Sequence, residues 1–406
     1  YKKNLDNLIV DFLFKFYQLK KEYLKIHGFT GTNGKTTTSY LASQANREYF
    51  KRDSIYFGTL GLKFNDMWHR TTFKEDRKGL TTPNIFDFFK SINSVINKEK
   101  QTDVFLEISS HAIDQKRLKT LEFESLSLLN IGKDHLDYHK NYKNYVKTKF
   151  DIFNFKAKRK IINLACKNIK DHLIKNKNFK KNFFSVSNKT CNANYYYDIS
   201  AEDNLSSNIC INRSYFISSR LIPEFNLTNL IHALVAINFF NQVRKKHIDL
   251  NYLKLPSGRT EIIEDIPINV IIDFAHNHEG FENFLSSIKK YFPNLIIVFG
   301  CGGNRDRKKR PMMMRTALHY GKKVFFTSDN SRNEKFDDIC TDALKNNKTK
   351  NVVVIKDRQV AINKAIKEIQ DNDCLVILGK GHEETQEENG KIIFFSDKQV
   401  VNNVFK

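Results

Sequence analysis

The sequence predicts an α/β fold of two successive parallel sheets. A glycine-rich turn joins a short apolar strand to a helix near residue 31. Strand-like and helix-like segments then alternate, and a second, shorter alternation follows a break near residue 256. At 406 residues the chain exceeds one ordinary core and suits two or three domains. In the turn, within YLKIHGFTGTNGKTTT at 23–38, Gly31 and Gly34 let backbone amides approach phosphate oxygens. Lys35 supplies charge to the terminal phosphates, and Thr36 can offer its hydroxyl to Mg²⁺. The strict pattern asks for glycine at 29, where this chain has Phe29, so the run TGTNGKTTT, with Thr32, Asn33 and Thr37, carries the inference of nucleoside-triphosphate binding.

In chain order, 1–22 read as an amphipathic helix leading into the strand before the loop, and 37–51 have helical spacing. Strands follow at 104–108 (VFLEI) and 125–131 (SLSLLNI). Residues 155–220, polar, basic and rich in Asn and Ser, read as an irregular lobe. A buried helix is expected over 225–240 (FNLTNLIHALVAINFF), with Asn226 and Asn229 near its start. The break at Pro256-Ser257-Gly258 is the expected linker and hinge. Beyond it come strands at 268–274, 294–300, 322–328, 351–355 and 374–379. The expected organisation is a lead-in helix (1–23), a central P-loop ATPase-like domain (24–255) and a smaller Rossmann-like domain (256–406), whose polar motifs follow strand C-terminal ends.

Lys and Arg number 67 against 45 Asp and Glu, a net charge of +22 that would suit a polyanion or a strongly anionic small substrate. The excess is scattered lysine; clusters at 156–160 (KAKRK) and 175–182 read as solvated surface, and no nucleic-acid partner is expected. Six cysteines, widely spaced and without a C-x-x-C pair, point to a reducing, cytoplasmic setting. No apolar run approaches the roughly 20 residues of a membrane span, and no signal-peptide pattern opens the chain. Oligomeric state is not legible.

Two further clusters follow strands. Glu107-Ile-Ser-Ser-His111 and Lys133-Asp-His-Leu-Asp-Tyr-His139 bring oxygen and nitrogen ligands to the sheet edge that carries the loop. Glu107 and His135 are candidate ligands for an ATP-bound Mg²⁺, although a hydrogen-bonded polar corner would have the same composition.

Ten motifs, TGTNGKTTT, TTP (81–83), LEISSHAIDQKRL (106–118), DHLDYH (134–139), FNLTNL (225–230), GRTE (258–261), DFAH (273–276), FGCGGNRDRKKRP (299–311), DNSR (329–332) and GKGHEETQ (379–386), resemble the Mur ligases in order and spacing. The resemblance runs from about residue 24 to the end and is strongest to members that add a diamino acid. It implies an ATP-dependent amide ligase of peptidoglycan assembly. Such an enzyme joins meso-diaminopimelate to the D-glutamate of UDP-N-acetylmuramoyl-L-alanyl-D-glutamate through an acyl phosphate.

It further implies roles by motif. Lys35, Glu107, His135 and Lys149 would be catalytic. Gly31, Thr32, Asn33, Gly34, Lys35, Thr36, Thr37, Asn226, Asn229, Arg259 and Asp273 would bind ATP, although Asn226 or Asn229 could instead cap a helix. Thr81, Thr82, Ser109, Gln115 and Arg117 would hold the acceptor peptide. Arg305, Asp329, Asn330, Ser331, Arg332, Gly379 and Glu383 would hold the amino acid. Thr36, Glu107, His135 and a carbamylated Lys149 would hold Mg²⁺. Arg332 favours diaminopimelate, whose distal carboxylate it can pair, over lysine, whose ammonium it would repel.

The chain departs from the family pattern at Ser331, where proline is usual, at Asn304, where aspartate is common, and at Glu224, where glycine is common. Only thirty residues precede Gly31, so a preceding uridine-binding domain, implied by the resemblance, would be represented only by 1–23. The competing readings are a lysine-adding ligase, a folylpolyglutamate-type ligase, and a basic, non-catalytic ATP-binding protein. Because the phosphate loop and the amino-acid motifs fall in different domains, domain closure is expected to exclude water from the acyl phosphate.

Overall fold

The computed structural model describes residues 2–69, 80–176, 183–201, 206–347 and 350–406, which form two compact units, Tyr1–Lys254 and Leu255–Lys406. In the first, the helix Lys2–Phe16 puts Val10 and Leu13 into the core and Phe14 edge-on to Phe89. The chain then enters β1 (Leu24–Thr30). Parallel to β1 on its two sides run β5 (Thr102–Glu107) and β6 (Glu122–Leu128). Beyond β5 lie β2 (Asp53–Gly58), β3 (Gly61–Phe64) and β4 (Met67–His69). Such central strands are covered on both faces by helices, and β5 is buried at every position. From β1 the chain crosses over to β2 on one side, while β6 lies on the other. The crevice beyond the carboxyl end of β1, where the phosphate loop begins, is thus a topological switch point.

Residues 155–220 are not an irregular lobe. They supply β7 (Lys156–Asn163), β8 (Phe184–Ser187), β9 (Tyr195–Ala201), β10 (Ser207–Ile211) and β11 (Tyr215–Ser219), which with β12 (His247–Asp249) continue the sheet to twelve strands among the described residues. In the antiparallel meander β9–β10–β11, Ile209 faces Ile199 and Ile217 across the ladder with Ser207 and Ser219 buried on the same side, while the paired Asn208 and Ser200 take outward positions. Period-two alternation sits in strands of four to eight residues, which lysine and asparagine bias conceals. The KAKRK cluster belongs to β7 and is only partly solvated. Arg159 donates to the carbonyls of Val235 and Ala236 (3.0 and 2.6 Å), closing the carboxyl end of the helix Glu224–Ala236, which therefore stops short of residue 240. The 175–182 run lies largely outside the described residues.

That helix buries His232 completely, with no hydrogen-bond partner at either ring nitrogen among the described residues. Burial pushes its pKa from 6.5 down to about 3. Below pH 6.5 the unfolded chain takes up a proton that the folded chain refuses until about pH 3, so stability falls as pH drops through that window. Between pH 6.5 and 4.5 the loss is on the order of 2–3 kcal/mol. Urea midpoints of the wild type and a His232→Met variant should therefore diverge in their acid sensitivity; parallel curves would place the effect elsewhere.

The second unit has the order β13-β14-β18-β15-β16-β17. Its strands are β13 (Glu261–Ile262), β14 (Asn269–Asp273), β15 (Asn294–Cys301), β16 (Gly321–Ser328), β17 (Val352–Val354) and β18 (Asp373–Leu378), and all pair in parallel except the edge strand β13. Because β14, β18, β15 and β16 run parallel, the segments that follow them leave the same sheet edge. A small hairpin, β19 (Thr385–Glu388) and β20 (Lys391–Phe394), completes the unit and was not expected from the sequence. Nor is Gly258 a free hinge. At φ 67°, a Cβ there would lie 2.1 Å from the His382 amide, so the GRTE segment is wedged against the GKGHE loop inside the second unit, and the division falls at Lys254/Leu255. All six cysteines are free thiols, and no described helix is long and apolar enough to cross a membrane.

Candidate active site

In the first unit the phosphate loop is held from the β6 side. The Asn130 side chain, just beyond β6, accepts from the Asn33 amide and donates to its carbonyl (both 2.9 Å). Thr32 Oγ1 meets Tyr145 Oη at 2.9 Å and accepts from the Gly132 amide at 2.8 Å. Gly34, at φ 83°, stands at the N-cap of the helix Lys35–Phe50 without a side-chain cap, an arrangement suited to an anion. Lys35 Nζ folds back onto the carbonyls of Gly31 and Thr32 (2.9 and 3.0 Å). Thr37 is buried in the first helical turn. Asn229 packs against Gly34, where a Cβ would lie 2.6 Å from Asn229 Oδ1, and Thr38 donates to that oxygen. Asn226 is buried and donates to the Ile222 carbonyl. Neither asparagine caps the helix, since Pro223 occupies the N-cap.

Glu107, fully buried at the end of β5, accepts four hydrogen bonds. Oε1 takes Tyr56 Oη (2.5 Å) and the Thr59 amide (2.8 Å); Oε2 takes the hydroxyls of Thr36 and Thr59 (2.9 Å each). Gly58 makes room for this carboxylate, since a Cβ there would lie 2.2 Å from Oε1. Tyr56, Gly58, Thr59, Asn130 and Tyr145 were missed by sequence reasoning. No motif marks them, and only the strand pairing brings β2 beside β5.

Lys149 is buried in the helix Tyr142–Asp151, its Nζ 3.1 Å from Thr30 Oγ1 and 2.9 Å from the Gly31 carbonyl. Burial, then the charge of Lys35, push its pKa well below the ordinary lysine range, favouring a neutral amine. His135, half-exposed at φ 50°, stands 4.9 Å from the His111 ring and near Asp134. Burial, with His111, Lys35 and Lys149, favours its neutral form against the pull of Asp134.

Thr82 is fully buried, its hydroxyl donating to the Glu107 carbonyl (2.8 Å) and accepting from the Ser109 amide (2.9 Å), so it joins two segments rather than facing outward. Thr81 lies beside Thr59, and Ser109 caps the helix Ser110–Asp114. Arg117 donates to the Thr82 carbonyl and to Gln115, and Gln115 reaches Tyr138.

In the second unit Asp273 accepts the amides of Thr260 and Ala275 (2.7 Å each), fastening the GRTE segment, while Arg259 stacks over Phe274. Burial raises the Asp273 pKa against Arg259 and these amides. The segment 329–332 follows β16. Asp329 is held ionised by Lys380 and Arg358, which outweigh its burial. Gly379, at φ 109°, approaches it so closely that a Cβ would lie 2.8 Å from Oδ2. Asn330 donates to Glu383 (2.9 Å), which Lys380 also contacts (3.3 Å). Ser331 is buried, its carbonyl packed on Gly303. Arg332 Nη1 donates to the Gly303 carbonyl (2.8 Å), and a Cβ on Gly302 would lie near both Arg332 and the exposed Arg305. The structure thus brings Arg305, Arg332, Asn330 and Glu383 to one edge.

Among the described residues no three His, Cys, Asp or Glu side chains gather as a metal cage. Mg²⁺ needs few protein ligands beside phosphate oxygens and water, and the touching Thr36 hydroxyl and Glu107 carboxylate form a hard-oxygen pair of that kind.

A phosphate loop at a switch point, with an acidic residue against its threonine, and a second α/β unit after it define a nucleoside-triphosphate-binding α/β protein. The chain belongs to the Mur ligase family: the Mur ligase middle domain matches 29–237, and the glutamate ligase domain of Mur ligases matches 258–381. It is similar to UDP-N-acetylmuramoyl-L-alanyl-D-glutamate–2,6-diaminopimelate ligase of Helicobacter pylori, at 34% identity over 99% of this chain and 88% of the relative. The enzyme of the same name from Buchnera aphidicola is 35% identical, over 98% and 78%. A solved structure of such a ligase superposes with a TM-score of 0.64 at 29% identity, covering 97% of this chain and 80% of that one. The Mycobacterium tuberculosis folylpolyglutamate synthase bound to ADP and AMPPCP shares the fold at 13% identity and a TM-score of 0.66, over 92% of each chain.

Proposed function

We propose that this chain joins meso-diaminopimelate to the D-glutamyl carboxylate of UDP-N-acetylmuramoyl-L-alanyl-D-glutamate at the expense of ATP, in the cytoplasm. The observation that carries the reading is Arg332, an arginine beside Arg305, Asn330 and Glu383 at the end of β16, where a distal carboxylate would find a cation. The relatives' names agree with it.

The glutamyl carboxylate attacks the γ-phosphorus of ATP, forming an acyl phosphate as ADP leaves. The amine of the amino acid then attacks the acyl carbon. A C–N bond forms, the C–O bond to phosphate breaks, and the ammonium proton is lost to the medium. Two anions must meet in the first step, so the residues act mainly by offsetting charge and by positioning. Lys35 would leave its loop carbonyls for the γ-phosphate, and the amides of 31–37 would cradle the polyphosphate. Asn226, Asn229, Arg259 and Asp273 would shape the nucleotide site, Asn226 and Asp273 by fixing backbone and Asn229 by packing against Gly34 and Thr38. Thr81, Ser109, Gln115 and Arg117 would face the acceptor peptide, and Thr82 would hold their segments together. Thr36 and Glu107, with His135 and a carbamylated Lys149, would hold Mg²⁺, which when bound supplies charge neutralisation to the phosphates.

A neutral Lys149 amine is the form that adds to carbon dioxide, releasing a proton and leaving a carbamate. Lys149→Met is therefore expected to lower turnover about a hundredfold or more with nucleotide binding retained. The carbamate carbon signal of ¹³C-bicarbonate-treated enzyme should vanish in the variant; full activity in Lys149→Met would refute the role.

The test of the function is phosphate release from ATP with UDP-N-acetylmuramoyl-L-alanyl-D-glutamate and either meso-diaminopimelate or lysine, with the product weighed by mass spectrometry. Diaminopimelate-dependent release with a tripeptide product is expected. Lysine-dependent release would overturn the substrate assignment, and none with either would overturn the reading.

A further inference from the structure

The hairpin β19–β20 fixes the segment that would choose the amino acid. Arg332 adopts left-handed backbone at φ 52°, its amide donating to the Glu387 carbonyl (3.1 Å) and its carbonyl accepting from the Asn389 amide (2.6 Å). The Glu387 amide donates to Asn330 Oδ1 (3.0 Å), and Gln386 reaches Ser328 Oγ and the Asp329 carbonyl (2.7 and 3.2 Å). Glu387 is thus tied through its backbone to both Asn330 and Arg332. Its half-exposed carboxylate lies 3.7 Å from Arg332 Nε, while Nη1 is committed to the Gly303 and Asn330 carbonyls.

We infer that Glu387 is a specificity-tuning counter-ion, whose carboxylate holds the Arg332 guanidinium in the empty site and must yield to the distal carboxylate of an incoming diaminopimelate. The inference rests on the diaminopimelate reading above. Two carboxylates compete for one guanidinium edge, so the charge of Glu387 weakens diaminopimelate binding. A lysine ammonium, repelled by Arg332, is attracted by that same charge. One side chain therefore acts in opposite directions on the two amino acids, which a purely structural residue would not do. The next acid, Glu388, pairs with Lys356 at 2.9 Å and is not such a competitor.

The experiment compares the full chain with Glu387→Gln and Glu388→Gln in the phosphate-release assay, titrating each amino acid. Glutamine keeps the backbone bonds and shape of residue 387, and equal melting temperatures would verify folding. For an exposed pair of this kind the KM for diaminopimelate should fall about two- to fivefold in Glu387→Gln, with kcat unchanged. Use of lysine should worsen by a similar factor, and the difference should shrink at high salt. Glu388→Gln should match the wild type. An unchanged or raised diaminopimelate KM in Glu387→Gln, or a shift of both amino acids in one direction, overturns the inference alone. A wild type that releases phosphate with neither amino acid overturns the diaminopimelate reading, and the inference with it.

Discussion

Gly58→Ala is expected to lower kcat by about a hundredfold or more while leaving the protein folded. The added methyl would lie 2.2 Å from Glu107 Oε1 and 2.5 Å from its Cγ and Cδ. No real Cβ tolerates such contacts, and the glutamate cannot swing aside without losing partners, because all four of its hydrogen bonds run to Tyr56, Thr59 and Thr36. The displacement therefore reaches Thr36, the hydroxyl at the start of the phosphate-loop helix. On the proposed reading, a shift of about 1 Å there would carry the hard-oxygen pair away from where Mg²⁺ and the terminal phosphates would sit, the geometry on which phosphoryl transfer depends. Steady-state kinetics with a thermal melt of the same preparation checks the claim. A variant within threefold of wild-type kcat would mean that Glu107 tolerates displacement and has no close role in the reaction.

The largest effect on stability is expected at Asp397. Arg358 and Asp397 form a fully buried pair (2.7 and 2.8 Å), and the same guanidinium donates to the carbonyls of Leu378 and Ser328 (3.0 and 3.4 Å). These carbonyls end β18 and β16, just before Gly379 and Asp329, so the pair ties together the two strand ends that carry the amino-acid motifs. Asp397→Ala leaves a buried guanidinium without its hydrogen-bonded carboxylate, with Asp329 as a weaker remaining counter-charge, at a cost of about 3–5 kcal/mol. Urea unfolding of the wild type, Asp397→Ala and the double variant Arg358→Met/Asp397→Leu measures it. The double variant should recover part of the loss, because it removes the stranded charge along with the attraction. A single variant as stable as the wild type would show that water or another group solvates Arg358.

How much was legible follows from the range of each interaction. The phosphate loop, the helix after it and the strands of the second unit were readable, because apolar period and glycine placement act over a few residues. The sheet from β7 to β11 was not, because its strands are short and their outward positions are filled by the same Lys, Asn and Ser that mark loops. Arg159 was read as one more surface cation and instead closes a helix about 76 residues away in sequence. The break at 256–258 is legible because proline and glycine mark a turn, and the two units divide beside it at Lys254/Leu255; that Gly258 itself packs against His382 is not legible.

The sequence by itself determined the chemical parts: TGTNGKTTT, the Glu107 and His135 segments, a lysine at 149 and an arginine at 332. It also determined their order along two alternating series, since such motifs depend on side chains spaced within one turn or strand. Only the tertiary structure decided which neighbours those parts have. It set Gly58 under Glu107, Asn130 on Asn33, and Glu387 beside Arg332. Those approaches depend on strand order and close packing between segments 50 to about 100 residues apart, and no local periodicity encodes which strand lies beside which.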